Sequence, residues 1–284
     1  LYIVHLRVTR KILLLFKKKK NMNYTDFTKE TIDIFTLVTG PYKFFFKKFI
    51  ESVENFFPNN PKRIHIASDG LDEYANGVIP EMNIKNIEVT HIIDLPFPLI
   101  PVQKTYMQKN YVPEDCKYIF YFDIDTVFLG MPDEKWEFLF EKINDDNIIM
   151  SKHPHYDSQF EANRVFLMEN NADSKAYIPE DYYEHVISSF WGGKRENVLK
   201  MDDYVNYMFK WDIKNIRYFP AFVDENYINK IIWQTKKGEI TDIKFYDAEH
   251  FITIPNYEFS VETPHIFLLQ KYDTSIKNSK KNVE

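Results

Sequence analysis

The chain has 284 residues, of which 44% are hydrophobic and 17% aromatic, enough to bury a sizeable core. Only 7 glycines and 14 prolines exclude a collagen-like or low-complexity chain. A net charge of −6 leaves no broad basic footprint, so no nucleic-acid partner is expected, and a single cysteine, Cys116, excludes an internal disulfide framework.

Residues 1 to about 30 read as a basic, poorly ordered lead-in. The apolar run Ile12 to Phe16 meets Lys17 to Lys20 at once and is far shorter than the roughly 20 residues a bilayer requires. No stable membrane span is expected, with surface association through the basic stretch as the lesser reading. Met22 opens a more ordinary sequence. Asp33 to Thr39 (DIFTLVT) predicts a first strand ending at the Gly40-Pro41 turn. From Tyr42 to Phe57 apolar residues recur at helical spacing, through Phe45, Phe49, Ile50 and Val53, until Pro58 to Pro61 stops the pattern. Arg63 to Ala67 predicts a second strand, so strand, helix and strand make a βαβ unit with parallel pairing. Asn86 to Ile93 predicts a third strand, and Gln103 to Tyr111 a helix after a proline-rich loop. Neither a G-x-G-x-x-G nor a P-loop sequence accompanies this α/β pattern.

The next stretch, YIFYFDIDTVF from Tyr118 to Phe128, organises the chain. Five β-branched or aromatic residues predict a strand buried on both faces. Asp123 and Asp125 follow with Ile124 between them, and a strand's two-residue period sends both carboxylates to one side at its end. Acids beside an apolar core need compensation, and a hard divalent cation, Mn2+ or Mg2+, supplies it. Ligands of open α/β sheets bind at this carboxyl edge. Beyond it, Trp136 to Ile143 predicts a helix, Asn147 to Ser151 a strand and Val198 to Phe209 a helix. Phe190-Trp191-Gly192-Gly193 predicts a close backbone approach, and Asp224 and Glu225 open one more helix. No repeat or linker marks a second domain, so residues 31–284 are expected to form one, with a C-terminal lid from about residue 268.

Taken together, several blocks between Phe35 and Lys277 resemble glycosyltransferase family six, which includes the histo-blood-group A and B transferases and the α-1,3-galactosyltransferase. Tyr42 and FFKKFIES resemble the family's uracil-stacking tyrosine and following helix, with Leu37, Val38 and Thr39 lining the base pocket. Asp123-Ile124-Asp125 resembles its D-x-D, Ser174 to Pro179 its S-x-A-Y-I-P block, and Val223 to Lys230 its H-D-E-S-H-L-N-K block. Ile187, Ser188 and Ser189 fall where the family reads its donor sugar. Lys271 and Lys277 fall where basic residues close over the diphosphate.

The resemblance implies a GT-A fold, with a Rossmann-like, mostly parallel sheet and flanking helices. It implies retaining α-1,3 transfer of galactose or N-acetylgalactosamine from a UDP-sugar to a β-galactoside glycan. Asp123 and Asp125 would hold Mn2+ or Mg2+, Asp224 would meet donor hydroxyls, and Glu225 would be the catalytic carboxylate. His153, Leu167, Phe222 and Glu225 would contact the acceptor. The chain departs from the pattern in several ways. It keeps both acids where bacterial relatives commonly have N-x-N, which implies metal dependence. Phe222 stands for the family's tryptophan, Val223 for its histidine, and about Ser260 for a late acceptor-binding aspartate. Two other readings compete. D-I-D-T-V also fits the nucleophile motif of haloacid-dehalogenase phosphohydrolases, although more than a hundred residues precede it and the later Asp202-Asp203 pair falls inside an expected helix and not after a strand, and a glycan-binding module could keep the fold without turnover. Richness in Asn, Lys, Ile, Phe and Tyr, with no membrane anchor, suggests a microbial or viral cytoplasmic enzyme.

Overall fold

A computed structural model describes residues 22–70, 87–92, 99–153, 168–179, 185–220, 222–248, 252–253 and 266–268. Short helix α1 (Tyr24–Phe27) is capped by Asn23, whose side chain accepts from Asp26 N. Its Phe27 is fully buried, so the packed fold begins inside the stretch expected to be a disordered lead-in. Strand β1 (Ile32–Val38) leads into a 3-10 segment (Gly40–Phe45), helix α2 (Phe46–Ser52) and a second 3-10 turn (Val53–Asn55). The single helix expected from Tyr42 to Phe57 is therefore a broken one. The apolar spacing holds, but the first turn is wound as a 3-10 segment. There follow β2 (Lys62–Ser68), β3 (Ile87–His91), α3 (Leu99–Tyr111), β4 (Tyr118–Phe122), β5 (Thr126–Phe128), α4 (Asp133–Asn144) and β6 (Asn147–Lys152). The chain continues through β7 (Val186–Lys194), α5 (Arg195–Ile216), α6 (Val223–Lys236), β8 (Lys244–Asp247), β9 (Ile252–Thr253) and β10 (Ile266–Leu268).

Seven strands form one mostly parallel sheet in the order β3-β2-β1-β4-β7-β6-β8, with helices against it, compatible with a Rossmann-like fold. β3, β2, β1 and β4 run parallel, as do β6 and β8, while β7 runs antiparallel to both its neighbours. Strands β5, β10 and β9 make a smaller sheet. Ile32 pairs with Tyr118, so β1 and β4 end near the same edge.

Alternation along β4 builds two cores. Tyr118, Phe120 and Phe122 face an aromatic layer containing Phe56, Phe128, Trp136 and Phe190, and the Phe56 ring lies 4.9 Å edge-on to both Phe120 and Phe122. Ile119 and Tyr121 face the other layer with Met201, Val205, Tyr227 and Ile228, where α3, α5 and α6 pack together. Gly192 lies within β7, and a Cβ there would stand 2.0 Å from Phe120 Cδ1, the close approach its glycine predicted. Cys116 is buried with its thiol pushed upward, first by burial and then by Asp33.

Candidate active site

Strand β4 stops at Phe122, so Asp123 and Asp125 occupy the turn that follows rather than continuing the strand's alternation. Asp123 N donates to Ser189 O (2.9 Å), and Thr126 N closes the turn on Asp123 O (3.1 Å). The Asp123 side chain is 26% exposed, whereas Asp125 is buried. Tyr121 one step back on the strand donates its hydroxyl to Asp123 Oδ1 at 2.7 Å. Its phenol is held well above the usual range by burial first, and then by Asp123, Asp224 and Asp125. Asp123 is thus the carboxylate that takes this hydroxyl, with Asp224 and Asp125 acting on it through their charge.

Beside the turn, β7 breaks register against β6. Met150 pairs with Trp191 but Ser151 pairs with Ile187, leaving residues 188–190 bulged. The bulge keeps its contact with β4 and brings Ser188 and Ser189 to the acids. The Ile187 side chain packs in the aromatic core.

Helix α6 supplies the remaining acids. Phe222 N donates to Asn226 Oδ1 at 2.8 Å, so Asn226 tends the helix start while Asp224 and Glu225 point elsewhere. Val223 holds φ +36, a left-handed conformation unfavourable for a β-branched residue, directly before Asp224. Asp224 Oδ2 lies 3.2 Å from Lys104 Nζ, an ion-pair contact without hydrogen-bond alignment. Lys104, from α3, also reaches Asp123 Oδ1 (2.9 Å) and Ser188 O (3.4 Å). Burial opposes its charge, but Asp123 and Asp224 outweigh burial and hold the ammonium protonated beyond its ordinary range. The Asp224 carboxyl is pushed up to about 6, by burial first, with Asp123 and Glu225 adding to it and Lys104 opposing.

Glu225 is treated in the opposite way. Oε1 lies 2.8 Å from His185 Nε2, and Oε2 accepts from Ser188 N at 2.9 Å. Burial would raise this carboxyl, but the His185 contact, the nearby His153 and Ser188 N–H bring it down to about 2. Asn229, one turn on, ties the helix to β7 by accepting from Val186 N (2.8 Å) and donating to Val186 O (2.9 Å) and Glu225 O (2.8 Å). His153 is buried, donates its backbone N–H to His185 O (2.8 Å), and presents its ring edge-on to His185 at 5.7 Å. Two adjacent carboxylates thus have divergent proton affinities, the arrangement by which one site runs two roles.

Of the residues singled out in the sequence, Asp123, Asp125, Ser188, Ser189, Asp224, Glu225 and His153 lie at this edge of the sheet. Leu37, Val38, Thr39 and Tyr42 follow at the end of β1 and in the next turn, with the Leu37 and Val38 side chains buried. Phe222 sits at the N-cap of α6. Leu167, Lys271 and Lys277, with the expected lid, lie outside the described residues. Sequence reasoning missed Lys104 and His185. Lys104 reads as an ordinary polar position of α3, though a lysine facing inward beside buried Thr105 and Gln108 is itself a signal.

Asp123 and Asp125 are the oxygen donors of this edge that would suit Mg2+ or Mn2+, with Asp123 Oδ1 already taken by Lys104 and Tyr121. Among the described residues no three or more His, Cys, Asp or Glu side chains surround a common metal position. No helix among them is long and apolar enough to cross a membrane. No family model matches the chain, and no curated protein matches its sequence.

Proposed function

We propose that this protein is a GT-A-type retaining glycosyltransferase, moving galactose or N-acetylgalactosamine from a UDP-sugar in α-1,3 linkage to a β-galactoside. The observation carrying the reading is Glu225, a buried carboxylate held ionised at about 2 beside Asp224, held at about 6, at the carboxyl edge of the sheet. Departure of UDP leaves positive charge on the sugar ring, and an anion fixed beneath it stabilises that charge. Its two oxygens keep lone pairs beyond those taken by His185 and Ser188, which suits hydrogen bonding to an acceptor hydroxyl. Asp224 meets the donor's hydroxyls, and Lys104 keeps Asp123 and Asp224 together without fusing their charges. When bound, Mn2+ or Mg2+ on Asp123 and Asp125 supplies Lewis-acid neutralisation of the leaving diphosphate. Leu37, Val38, Thr39 and Tyr42 line the base pocket in this reading, and Ile187, Ser188 and Ser189 read the sugar.

The phosphohydrolase reading has less support. Asp202 sits fully buried inside α5, its carboxyl pushed far upward by burial and then Asp203, unsuited to ligating a catalytic cation. UDP release with lactose as acceptor tests the proposal, with UDP-galactose and UDP-N-acetylgalactosamine each assayed with Mn2+ and with EDTA. Metal-dependent release on one donor is expected. EDTA-resistant release would remove the metal role of Asp123 and Asp125, and silence on both donors with phosphate-ester cleavage would overturn the transferase.

A further inference from the structure

His185 is assigned no role of its own above, yet it touches the proposed catalytic carboxylate. It is 2% exposed, and its backbone is pinned on both sides, by His153 N–H on its carbonyl and by Asn229 on Val186. A carboxylate only accepts hydrogen bonds, so the imidazole must carry a proton on Nε2 at the 2.8 Å contact with Glu225 Oε1. Ser188 N–H takes the other oxygen at 2.9 Å. His185 directly precedes β7 and Ser188 lies within it, so both donors come from the start of that strand.

We propose that His185 is a positioning residue that, together with Ser188 N–H, clamps Glu225 as an ionised carboxylate aimed at the substrate. The local consequence is the depressed Glu225 carboxyl, whose strongest lowering influence is the His185 contact. A histidine serving only as core filler would fix the packing without controlling this charge. The catalytic meaning of the clamp rests on the transferase reading, while the clamp itself is testable without turnover.

The experiment combines carboxyl-13C NMR titration of Glu225 with UDP-release kinetics in wild type, His185→Phe and His185→Gln. In His185→Phe the Glu225 midpoint should rise from about 2 to the ordinary glutamate value of about 4.3 or above, because burial then acts with less opposition. At pH 7 kcat should fall about 10²-fold with KM changed less than about threefold, the signature of lost aim rather than lost binding. The acid limb of kcat should move up with the Glu225 midpoint, and His185→Gln, which keeps an N–H donor, should restore most of the rate. An unmoved Glu225 midpoint in His185→Phe, or a glutamine variant as impaired as the phenylalanine one, overturns the proposal. Should His185→Phe not fold, Glu225→Gln gives the second handle. In that variant the His185 Nε2–H signal should exchange faster than in wild type, because a neutral amide oxygen replaces the charged acceptor, and unchanged exchange overturns the clamp. A midpoint that follows His185 in a protein with no transferase activity leaves the clamp standing and removes the transferase. Turnover with an indifferent midpoint does the reverse.

Discussion

Asp224→Asn keeps the shape of the side chain and removes its charge, so it mimics the protonated state that the fold favours. The Asp224 carboxyl titrates at about 6 in the folded protein against an ordinary 3.8. Between these two values the folded state binds the proton more tightly than the unfolded state, so stability falls as pH rises. At about 1.4 kcal/mol per pH unit the interval amounts to about 3 kcal/mol, fully expressed above pH 6 and absent below about 3.8. Urea unfolding of wild type and Asp224→Asn from pH 4 to pH 7.5 in EDTA measures it directly. The asparagine variant should gain about 3 kcal/mol on wild type across that range, or roughly 6–10 °C in Tm for a chain of this size. It should also lose transfer, because an amide cannot replace the carboxylate toward the donor's hydroxyls. A stability difference that stays flat between pH 4 and pH 7.5 would refute the claim that Asp224 is held as a strained buried acid.

Three further perturbations probe the scaffold around it. Lys104→Met removes the cation between Asp123 and Asp224 and should cost about 3–5 kcal/mol at pH 7.5, less at pH 5 where Asp224 takes up a proton. Combining it with Asp224→Asn should recover much of that loss in the same unfolding assay. Gly192→Ala drives a methyl against the Phe120 ring and should destabilise by about 1–3 kcal/mol or more, with loss of near-ultraviolet aromatic dichroism from the phenylalanine layer. Asn229→Leu strips both backbone partners from Val186 and should cost about 2–4 kcal/mol by urea unfolding, with the Glu225 titration disturbed because its helix is no longer tied to β7.

How far the sequence reaches differs between the scaffold and the site. Strand β1 was expected at Asp33 to Thr39 and runs Ile32–Val38, and the helix carrying Asp224 and Glu225 starts where two acids precede an apolar repeat. Such elements are legible because burial imposes a period on neighbouring residues, and Tyr118 to Phe122 announces a strand covered on both faces by that means alone. The break in the helix after Tyr42 was less legible, because Phe45, Phe46, Phe49 and Ile50 satisfy a 3-10 turn and an α-helix about equally well.

What the tertiary structure alone decided is the electrostatics of the site. Glu225 meets His185 across 40 residues of sequence, and Lys104 meets Ser188 across 84. No local pattern records those encounters. The β7 bulge brings Ser188 N–H to Glu225 and turns Ile187 into the core, an outcome set by register against two neighbouring strands. The sequence by itself determined which residues could be acids, bases and core. Only the packing of α3, β7 and α6 against the end of β4 determined that one carboxyl should be held near 6 and its neighbour near 2, because proton affinity follows burial and the charges brought close, and both are properties of the fold.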